Sequence, residues 1–244
     1  MTTGLKKRLQ KGDVVVGPFM GLNCPDLVEI IGMAGFDFCV IDTEHGPMDP
    51  ESTQHMIRAA EAAGVAPVAR APRADAVDIL KLLDVGAEGV HVPQVNSPET
   101  ARTAASAARY YPKGTRGVAI PRALEKANEK VLTAVHCENT LGLSHLEDIA
   151  AVDGVDMVFV GPYDLSQSLG VPGEIFHPVM VEAVSRALAV TCDAGKPAGI
   201  FVTSTDEALR RIDEGFRYIA YSMDSLIFGL ACRDQMQKIR RSLS

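Results

Sequence analysis

Short apolar segments alternate along this chain with longer segments in which apolar residues recur every three or four positions. The short segments are rich in β-branched residues, as buried strands are, and the longer ones have the periodicity of amphipathic helices. Many of the longer segments begin after Ser, Thr or Asp and several end in Gly, as capped helices do. The pattern predicts eight strands, at residues 13–20, 36–42, 66–72, 89–95, 131–139, 155–162, 196–203 and 218–224.

This alternation predicts a parallel sheet whose strands are joined by helical crossovers. Closed on itself, such a sheet is a (β/α)8 TIM barrel, and left open it is a doubly wound α/β sheet. We favour the barrel because eight strands are predicted and no GxGxxG motif follows the first of them. No linker or low-complexity segment interrupts the rhythm, so we predict that residues 1–244 form a single barrel domain.

Composition and charge exclude several classes of protein. Apolar residues make up 47% of the chain, enough for a large core, and the net charge of −7 argues against nucleic-acid binding. The five cysteines have no spacing typical of a zinc site or a redox pair, which predicts free thiols in a reducing compartment. Because we find neither a signal peptide nor a run of about 20 apolar residues, we expect a cytoplasmic protein without a membrane partner.

Ionisable and polar residues follow most of the predicted strands. In a TIM barrel the active groups lie at the C-terminal ends of the strands, so these residues are predicted to converge on one face. They are Asp42, Glu44 and His45 after the second strand, Arg70 after the third, His91 and Gln94 on the fourth, Glu138 after the fifth, Asp164 after the sixth and Asp224 after the eighth.

Glu138 and Asp164 follow neighbouring strands and are candidates for metal ligands. Two carboxylates placed close together repel each other unless a positive charge lies between them. A hard cation such as Mg²⁺ or Mn²⁺ suits this arrangement, with water and substrate oxygens completing its coordination. Each carboxylate could instead cap the following helix or pair with a surface lysine.

His45 and Arg70 are the candidate catalytic groups. A histidine can move a proton near neutral pH, and a carboxylate such as Asp42 or Asp84 would orient it and raise its basicity. Arg70 would stabilise a carboxylate or a developing enolate oxygen, or else form a structural salt bridge. Lysines such as Lys81, Lys113, Lys126 and Lys196 do not fall inside the apolar cores of the strands, which argues against a Schiff-base mechanism.

Five segments together form a recognisable pattern: IDTEHGP at 41–47, PVAR at 67–70, LLDVGAEGVHVPQV at 82–95, YYPKGTRGV at 110–118 and VFVGPYDLSQSLG at 158–170. They resemble the HpcH/HpaI aldolase family, whose members are class II pyruvate aldolases that depend on a divalent metal. The resemblance extends over nearly the whole chain in the order and spacing of the family, and macrophomate synthase is a related enzyme.

The resemblance implies a role for each candidate residue. It implies that Glu138 and Asp164 hold Mg²⁺, Mn²⁺ or Co²⁺, and that Arg70 stabilises the enolate of pyruvate. His45 would be the general base, with Asp84 raising its basicity and Asp42 close by. Substrate contacts are implied for Arg70, for the position of His136, and for the main chain at Tyr163 and Asp164. Family members exchange their last helix between subunits, so residues 225–243 are expected to serve a dimer-based homo-oligomer, up to a hexamer.

The chain departs from the family pattern near the substrate. His136 stands where many members have a Gln that contacts substrate, and Tyr163 stands where Ala or Ser precedes the metal aspartate. The segment after RGV is shorter than the arginine-bearing loop of members that process dicarboxylates, and Arg122 is a candidate for that role.

The function implied is a carbon–carbon lyase that cleaves a 4-hydroxy-2-oxo acid reversibly to pyruvate, or a close analogue, and an aldehyde. Its partners would be these small molecules and the divalent metal. One alternative keeps the enolate but starts from oxaloacetate, as a decarboxylase or a synthase similar to macrophomate synthase, or from a CoA thioester. Another alternative is a barrel that binds a ligand without catalysis.

Overall fold

The computed structural model describes residues 4–118 and 124–243, in which eight parallel strands form a closed barrel with neighbours in sequence order. The predicted (β/α)8 TIM barrel is therefore confirmed. Each predicted strand is present, and one or both of its ends lie one to three residues inside the predicted bounds. The strands are β1 Val15–Met20, β2 Phe38–Asp42, β3 Ala66–Arg70, β4 Gly89–Val92, β5 Leu132–Cys137, β6 Met157–Val160, β7 Ala198–Val202 and β8 Tyr218–Met223.

Helices connect the strands and cover the outside of the barrel. In the described residues they are α1 Leu5–Gln10, α2 Pro25–Met33, α3 Pro50–Ala63, α4 Ala76–Asp84, α5 Pro98–Ala107, α6 Leu124–Lys130, α7 Thr140–Ser144, α8 Leu146–Ala150, α9 Pro162–Ser168, α10 Pro178–Asp193, α11 Thr205–Glu214 and α12 Asp224–Leu243.

Local sequence explains where these helices begin and end, and α3 is the clearest case. The Asp49 side chain accepts a hydrogen bond from the Ser52 N–H, and the Ser52 hydroxyl accepts one from the Asp49 N–H, which completes a capping box. Pro50 occupies the first helical position, where its missing N–H costs nothing. Gly64 ends the helix in the left-handed region at φ 74°.

The core has two layers, one on each side of the sheet. Alternate residues of each strand point into the barrel, where Phe38, Phe159 and Tyr218 are among the largest buried side chains. Helix α1 closes the end of the barrel where the strands begin, since Leu5 and Leu9 belong to this inner layer. The outer layer lies between the strands and the surrounding helices. The barrel interior is therefore packed, and the residues predicted at the strand ends lie at its C-terminal face.

Helix α12 differs from the other helices because little of it is covered. Of its residues only Asp224 is buried, while Leu226, Phe228, Leu230, Met236, Ile239 and Leu243 are exposed. Among the helices that the structure describes, none is long and apolar enough to cross a membrane.

Candidate active site

Strand register places the first two candidate groups side by side. Asp42 ends β2 and Arg70 ends β3, and the two are paired across the parallel strands. Both side chains point into the barrel because they continue the inward series of Phe38 and Val40 on β2 and of Val68 on β3. The register thus brings an anion and a cation together at the C-terminal edge.

Arg70 is held rigidly by two carboxylates and a ring. Its Nε and Nη2 atoms donate to the two Asp42 oxygens at 2.9 and 2.5 Å, and Nη1 lies 3.0 Å from Glu44 Oε2. The guanidinium carbon also lies 5.0 Å from the centre of the Phe19 ring. These contacts hold the guanidinium in position before any substrate binds. Such preorganisation is expected of an arginine that stabilises an oxyanion.

The pKa shifts of Asp42 and Glu44 identify the main charge partner of Arg70. Burial alone would raise the pKa of the Asp42 carboxyl, but the hydrogen bond and charge of Arg70 outweigh it, so this pKa lies below its usual value. Burial raises the pKa of Glu44, and the nearby charge of Glu138 adds to the increase while Arg70 opposes it. Asp42 is therefore the principal counter-ion of Arg70.

His45 lies on the rim of the cavity, and its contact with Asp42 differs from the prediction. Asp42 Oδ1 accepts a hydrogen bond from the His45 main-chain N–H at 3.2 Å, and another from the Glu44 N–H. No described residue hydrogen-bonds to the His45 imidazole. Asp42 thus shapes the turn that carries His45, and the exposed ring is left free to face a substrate.

Glu138 is the most buried carboxylate of the pair predicted to hold a metal, with 3% of its surface exposed. Its Oε1 accepts a hydrogen bond from the Gln94 N–H at 2.6 Å, and its Oε2 lies 2.9 Å from His136 Nδ1. Burial raises the pKa of this carboxyl, but the charge and hydrogen bond of His136 together with the Gln94 N–H lower it further than burial raises it. Glu138 is therefore ionised in spite of its burial.

A chain of buried hydrogen bonds continues from Glu138 down the barrel axis. His136 Nε2 lies 2.9 Å from His91 Nδ1, and His91 Nε2 lies 3.0 Å from the Tyr218 hydroxyl. Both ring nitrogens of His136 are therefore engaged in hydrogen bonds with buried side chains. The predicted substrate contact of His136 is accordingly limited to its ring surface, and its hydrogen bonds orient Glu138 instead.

The groups at the two ends of this hydrogen-bond series, Glu138 and Tyr218, determine where two of its protons lie. A carboxylate only accepts hydrogen bonds, so the proton between His136 and Glu138 lies on His136 Nδ1. Burial lowers the pKa of His91 well below its usual value, and raises that of Tyr218 well above it, so the first is neutral and the second protonated. The hydrogen bonds therefore connect Tyr218, through His91 and His136, to Glu138.

The buried neutral histidine makes stability depend on pH. In the unfolded protein His91 binds a proton below about pH 6.5, whereas in the folded protein it does not. The contribution of His91 to the free energy of unfolding is therefore complete above that pH and falls as the pH drops. We expect His91→Gln to reduce the loss of unfolding free energy between pH 7 and pH 5.5, by up to about 1.4 kcal/mol per pH unit. Urea titrations at several pH values measure this slope; an unchanged slope would contradict it, and His55→Gln, at an exposed position, is the control.

Asp164 and Tyr163 lie in the first turn of α9 and line the same cavity as Glu138. This cavity has a volume of about 190 Å³ and opens at the C-terminal face. Its lining also includes Asp42, His45 and Arg70. The structure therefore brings together in one cavity the residues predicted to act in catalysis or to hold substrate and metal, which are Asp42, His45, Arg70, His136, Glu138, Tyr163 and Asp164, whereas Asp84 and Asp224 lie outside it.

The donor set fits a hard divalent cation. Both carboxylates face the cavity, and Gly161 makes room for one of them, since a Cβ atom there would lie 2.9 Å from Glu138 Oε2. In the part of the chain that is described, no group of three or more His, Cys, Asp or Glu side chains is arranged to hold a metal. Two protein carboxylates, with the other positions left to water and substrate, are typical of Mg²⁺ and Mn²⁺.

Asp84 lies elsewhere in the subunit. It is the last residue of α4, shortly before β4 begins, and its carboxylate accepts a hydrogen bond from Arg116 Nη2 at 2.7 Å. Because α4 runs antiparallel to the strands, this places Asp84 at the opposite end of the barrel from His45. Within one chain Asp84 therefore does not reach the histidine that it was predicted to activate.

Asp224, the polar residue predicted after the eighth strand, lies away from the cavity. Asp224 is buried, and its oxygens accept hydrogen bonds from the N–H groups of Gly21, Leu22 and Ser225, so it joins the β1–α2 connection to α12. Its role is therefore structural. Arg122, the candidate for a dicarboxylate-binding arginine, lies outside the described residues.

The sequence interpretation missed Tyr218 and the apolar part of the cavity. Phe19, Phe201 and Met223 face the charged groups across the mouth. The alternation of inward and outward residues could have revealed them, because each occupies an inward position on its strand. Apolar residues within the predicted strands were not considered as site residues, because the search was limited to ionisable and polar side chains.

Comparison with known proteins identifies the family of this chain. A sequence model of the HpcH/HpaI aldolase/citrate lyase family matches residues 16–229. A hydroxypyruvate/pyruvate aldolase of Deinococcus radiodurans is 40% identical over 96% of this chain and 88% of that protein. A 2-keto-3-deoxy-L-rhamnonate aldolase of Shigella sonnei is 31% identical over 93% of this chain and 90% of its own.

Solved structures agree with the sequence matches. The crystal structure of the citrate synthase SbnG has a TM-score of 0.92 and 33% identity, and the alignment covers 99% of each chain. Macrophomate synthase has a TM-score of 0.88 over 98% of this chain and 90% of its own, and at 23% identity it supports the fold alone. The family match covers most of the sequence and the relatives cover nearly all of it, so this chain belongs to the HpcH/HpaI aldolase/citrate lyase family.

Proposed function

We propose that the strand-end site cleaves a 4-hydroxy-2-oxo acid reversibly to pyruvate, or a close analogue, and an aldehyde. One observation carries the proposal: a single cavity brings together a fixed guanidinium, an imidazole at the rim and two carboxylates suited to a divalent cation. These are the groups that enolate chemistry requires. The printed names of the two relatives, a hydroxypyruvate/pyruvate aldolase and a 2-keto-3-deoxy-L-rhamnonate aldolase, support the same reaction class.

Glu138 and Asp164 would hold the metal, which we propose to be Mg²⁺, Mn²⁺ or Co²⁺. When bound, such an ion supplies a Lewis acid that withdraws charge from the 2-oxo group. His136 and the Gln94 N–H fix the Glu138 carboxylate, so the ligand needs little reorganisation when it binds.

Arg70 would stabilise the oxygen that becomes negative as the enolate forms. Its guanidinium is already neutralised in part by Asp42 and Glu44, which hold it in place and leave its outer edge towards the cavity. The main-chain N–H groups of Tyr163 and Asp164 in the first turn of α9 would bind the substrate carboxylate. These contacts orient the bond that breaks.

His45 would move the proton. In the cleavage direction the imidazole removes the proton from the C4 hydroxyl, the C3–C4 bond breaks, and its electrons pass into the enolate as the aldehyde forms. A proton then adds to C3 and gives pyruvate, and synthesis is the reverse. The free, exposed imidazole can exchange its proton with solvent between turnovers.

Removal of the metal tests this proposal. We expect protein treated with a chelator to lose its aldol activity with pyruvate or hydroxypyruvate as donor, and to regain it when Mg²⁺, Mn²⁺ or Co²⁺ is added. The Glu138→Gln variant should show no such recovery, because its amide replaces an anionic ligand. Full activity in the metal-free protein would contradict the proposed metal site.

We further propose that α12 packs against a second copy of this chain, in a dimer or a larger assembly of dimers. The exposed apolar side chains of this helix, which include Phe228, Met236 and Ile239, form a surface that a solitary subunit would leave in water. We expect light scattering to give at least the mass of a dimer, and Phe228→Asp to reduce it. A monomer at micromolar concentration would contradict this proposal.

A further inference from the structure

The cavity has a charged side and an apolar side, which come from opposite parts of the barrel. Arg70 and Glu138 stand on the side of β2 to β5, while Phe19, Phe201 and Met223 come from β1, β7 and β8. Because β7, β8 and β1 are neighbours in the closed barrel, their side chains form a continuous wall. The wall faces the groups that would hold the donor substrate.

Aromatic rings carry this wall up to the rim. The Phe201 ring contacts the Phe19 ring at a centroid distance of 5.8 Å and the Tyr163 ring at 5.9 Å, both edge to face. Phe201 is half-buried and Tyr163 is 43% exposed, so both rings present hydrocarbon surface at the mouth. Such rings at a cavity mouth suit a ligand that is itself apolar.

The charges of the cavity point to the same kind of ligand. Among the described lining residues, Asp42, Glu138 and Asp164 are carboxylates, and Arg70 is the one permanent cation. The excess of two negative charges is what a bound divalent cation would cancel. The carboxylate of the donor then makes the site negative again, and among the described lining residues the aromatic wall offers no positive partner to a second carboxylate.

From these observations we propose that the aldehyde carries a short alkyl chain or an aryl ring rather than a carboxylate or several hydroxyls. This inference rests on the proposed function and names its second substrate. A cavity of about 190 Å³ is small for a ligand site. It therefore favours a compact aldehyde, whose apolar part lies on Phe201 and Tyr163 while its carbonyl carbon faces the donor.

A matched pair of aldehydes tests the proposal. Butanal and succinic semialdehyde share a four-carbon chain and differ at its end, where the first has a methyl group and the second a carboxylate. With pyruvate as donor and the metal present, we expect kcat/KM to be about tenfold or more higher for butanal. A preference for succinic semialdehyde would overturn the proposal.

Variants of the wall give a second test. Phe201→Arg places a cation in the apolar wall and is expected to move the ratio of the two kcat/KM values towards succinic semialdehyde by at least about tenfold. Tyr163→Arg, at the more exposed rim, should shift the ratio in the same direction, and it replaces the first variant if that one does not fold. Phe176→Arg is the control, because Phe176 is 58% exposed and lies outside the cavity.

The ratio of the kcat/KM values for the two aldehydes is not changed by a loss of activity that affects both reactions equally. An unchanged ratio in both folded wall variants would overturn the proposal. Exchange of the pyruvate methyl protons needs no aldehyde, so exchange without a preference for butanal would refute only the aldehyde class. Absence of both exchange and turnover would refute the proposed function, and the inference with it.

Discussion

Replacement of His45 by alanine is expected to lower kcat for aldol cleavage by about 10²–10⁴-fold, the contribution usual for a general base. The KM for the oxo-acid should change little, because the main-chain N–H groups of Tyr163 and Asp164 would hold the substrate carboxylate, and Arg70 and the bound metal would hold the oxo group. His45 lies on the rim and no described residue hydrogen-bonds to its imidazole, so its loss should leave the fold intact. Steady-state kinetics of the purified variant measure both constants.

A second histidine provides the control for this prediction. His55 on α3 is also exposed, but it lies outside the cavity, and His55→Ala should retain the kcat of the unmodified protein. If His45→Ala keeps its kcat within a few-fold, the proton is moved by another group, and His45 loses its assigned role.

Replacement of Arg70 by methionine is expected to impair both turnover and stability. Loss of a group that stabilises the enolate oxygen should reduce kcat/KM by about 10²–10³-fold. The change also leaves Asp42, of which 1% is exposed, as a buried charge without its main cation partner. Such an unpaired charge typically costs about 3–5 kcal/mol, so the free energy of unfolding should fall by that order.

A double variant separates the two effects of Arg70. Arg70→Met combined with Asp42→Asn removes the buried charge together with its partner, and it should recover much of the unfolding free energy in a urea titration. Its activity should stay as low as that of the single variant, because the cation is still absent. Arg73→Met is the control, since Arg73 has a largely exposed side chain that is paired with Asp78. Recovery of activity in the double variant would contradict the role of Arg70.

The barrel could be predicted because its signals are local. Each strand is a short apolar run, and helices such as α3 carry their own caps and stops. The convergence of Asp42, Arg70 and Glu138 followed from the rule that parallel strands share one C-terminal face. The identification of an aldolase of this family is confirmed by the family match and by the relatives.

Contacts that depend on geometry across the barrel could not be predicted from the sequence. Asp42 was expected to orient the His45 imidazole, but the register of β2 against β3 pairs its carboxylate with Arg70 instead. Asp84 was expected to raise the basicity of His45, but the direction of α4 carries it to the other end of the subunit. The roles of these residues in catalysis stay predictions.

The hydrogen bonds from Tyr218 to Glu138 illustrate the same limit. Tyr218 and His91 come from strands on opposite sides of the barrel, so only the closed structure reveals that their side chains meet on its axis. The sequence does place each of them at an inward position. It contains no signal that sets the 2.9 Å contact between His91 and His136.

Exchange of the pyruvate methyl protons in D₂O, followed by NMR, measures formation of the enolate directly and without an aldehyde. We expect exchange by the unmodified protein with Mg²⁺, Mn²⁺ or Co²⁺, little exchange after treatment with a chelator, and strongly reduced exchange in His45→Ala. Folded protein that catalyses no exchange with any of the three ions would contradict the proposal that Arg70, His45 and the two carboxylates form an enolate site.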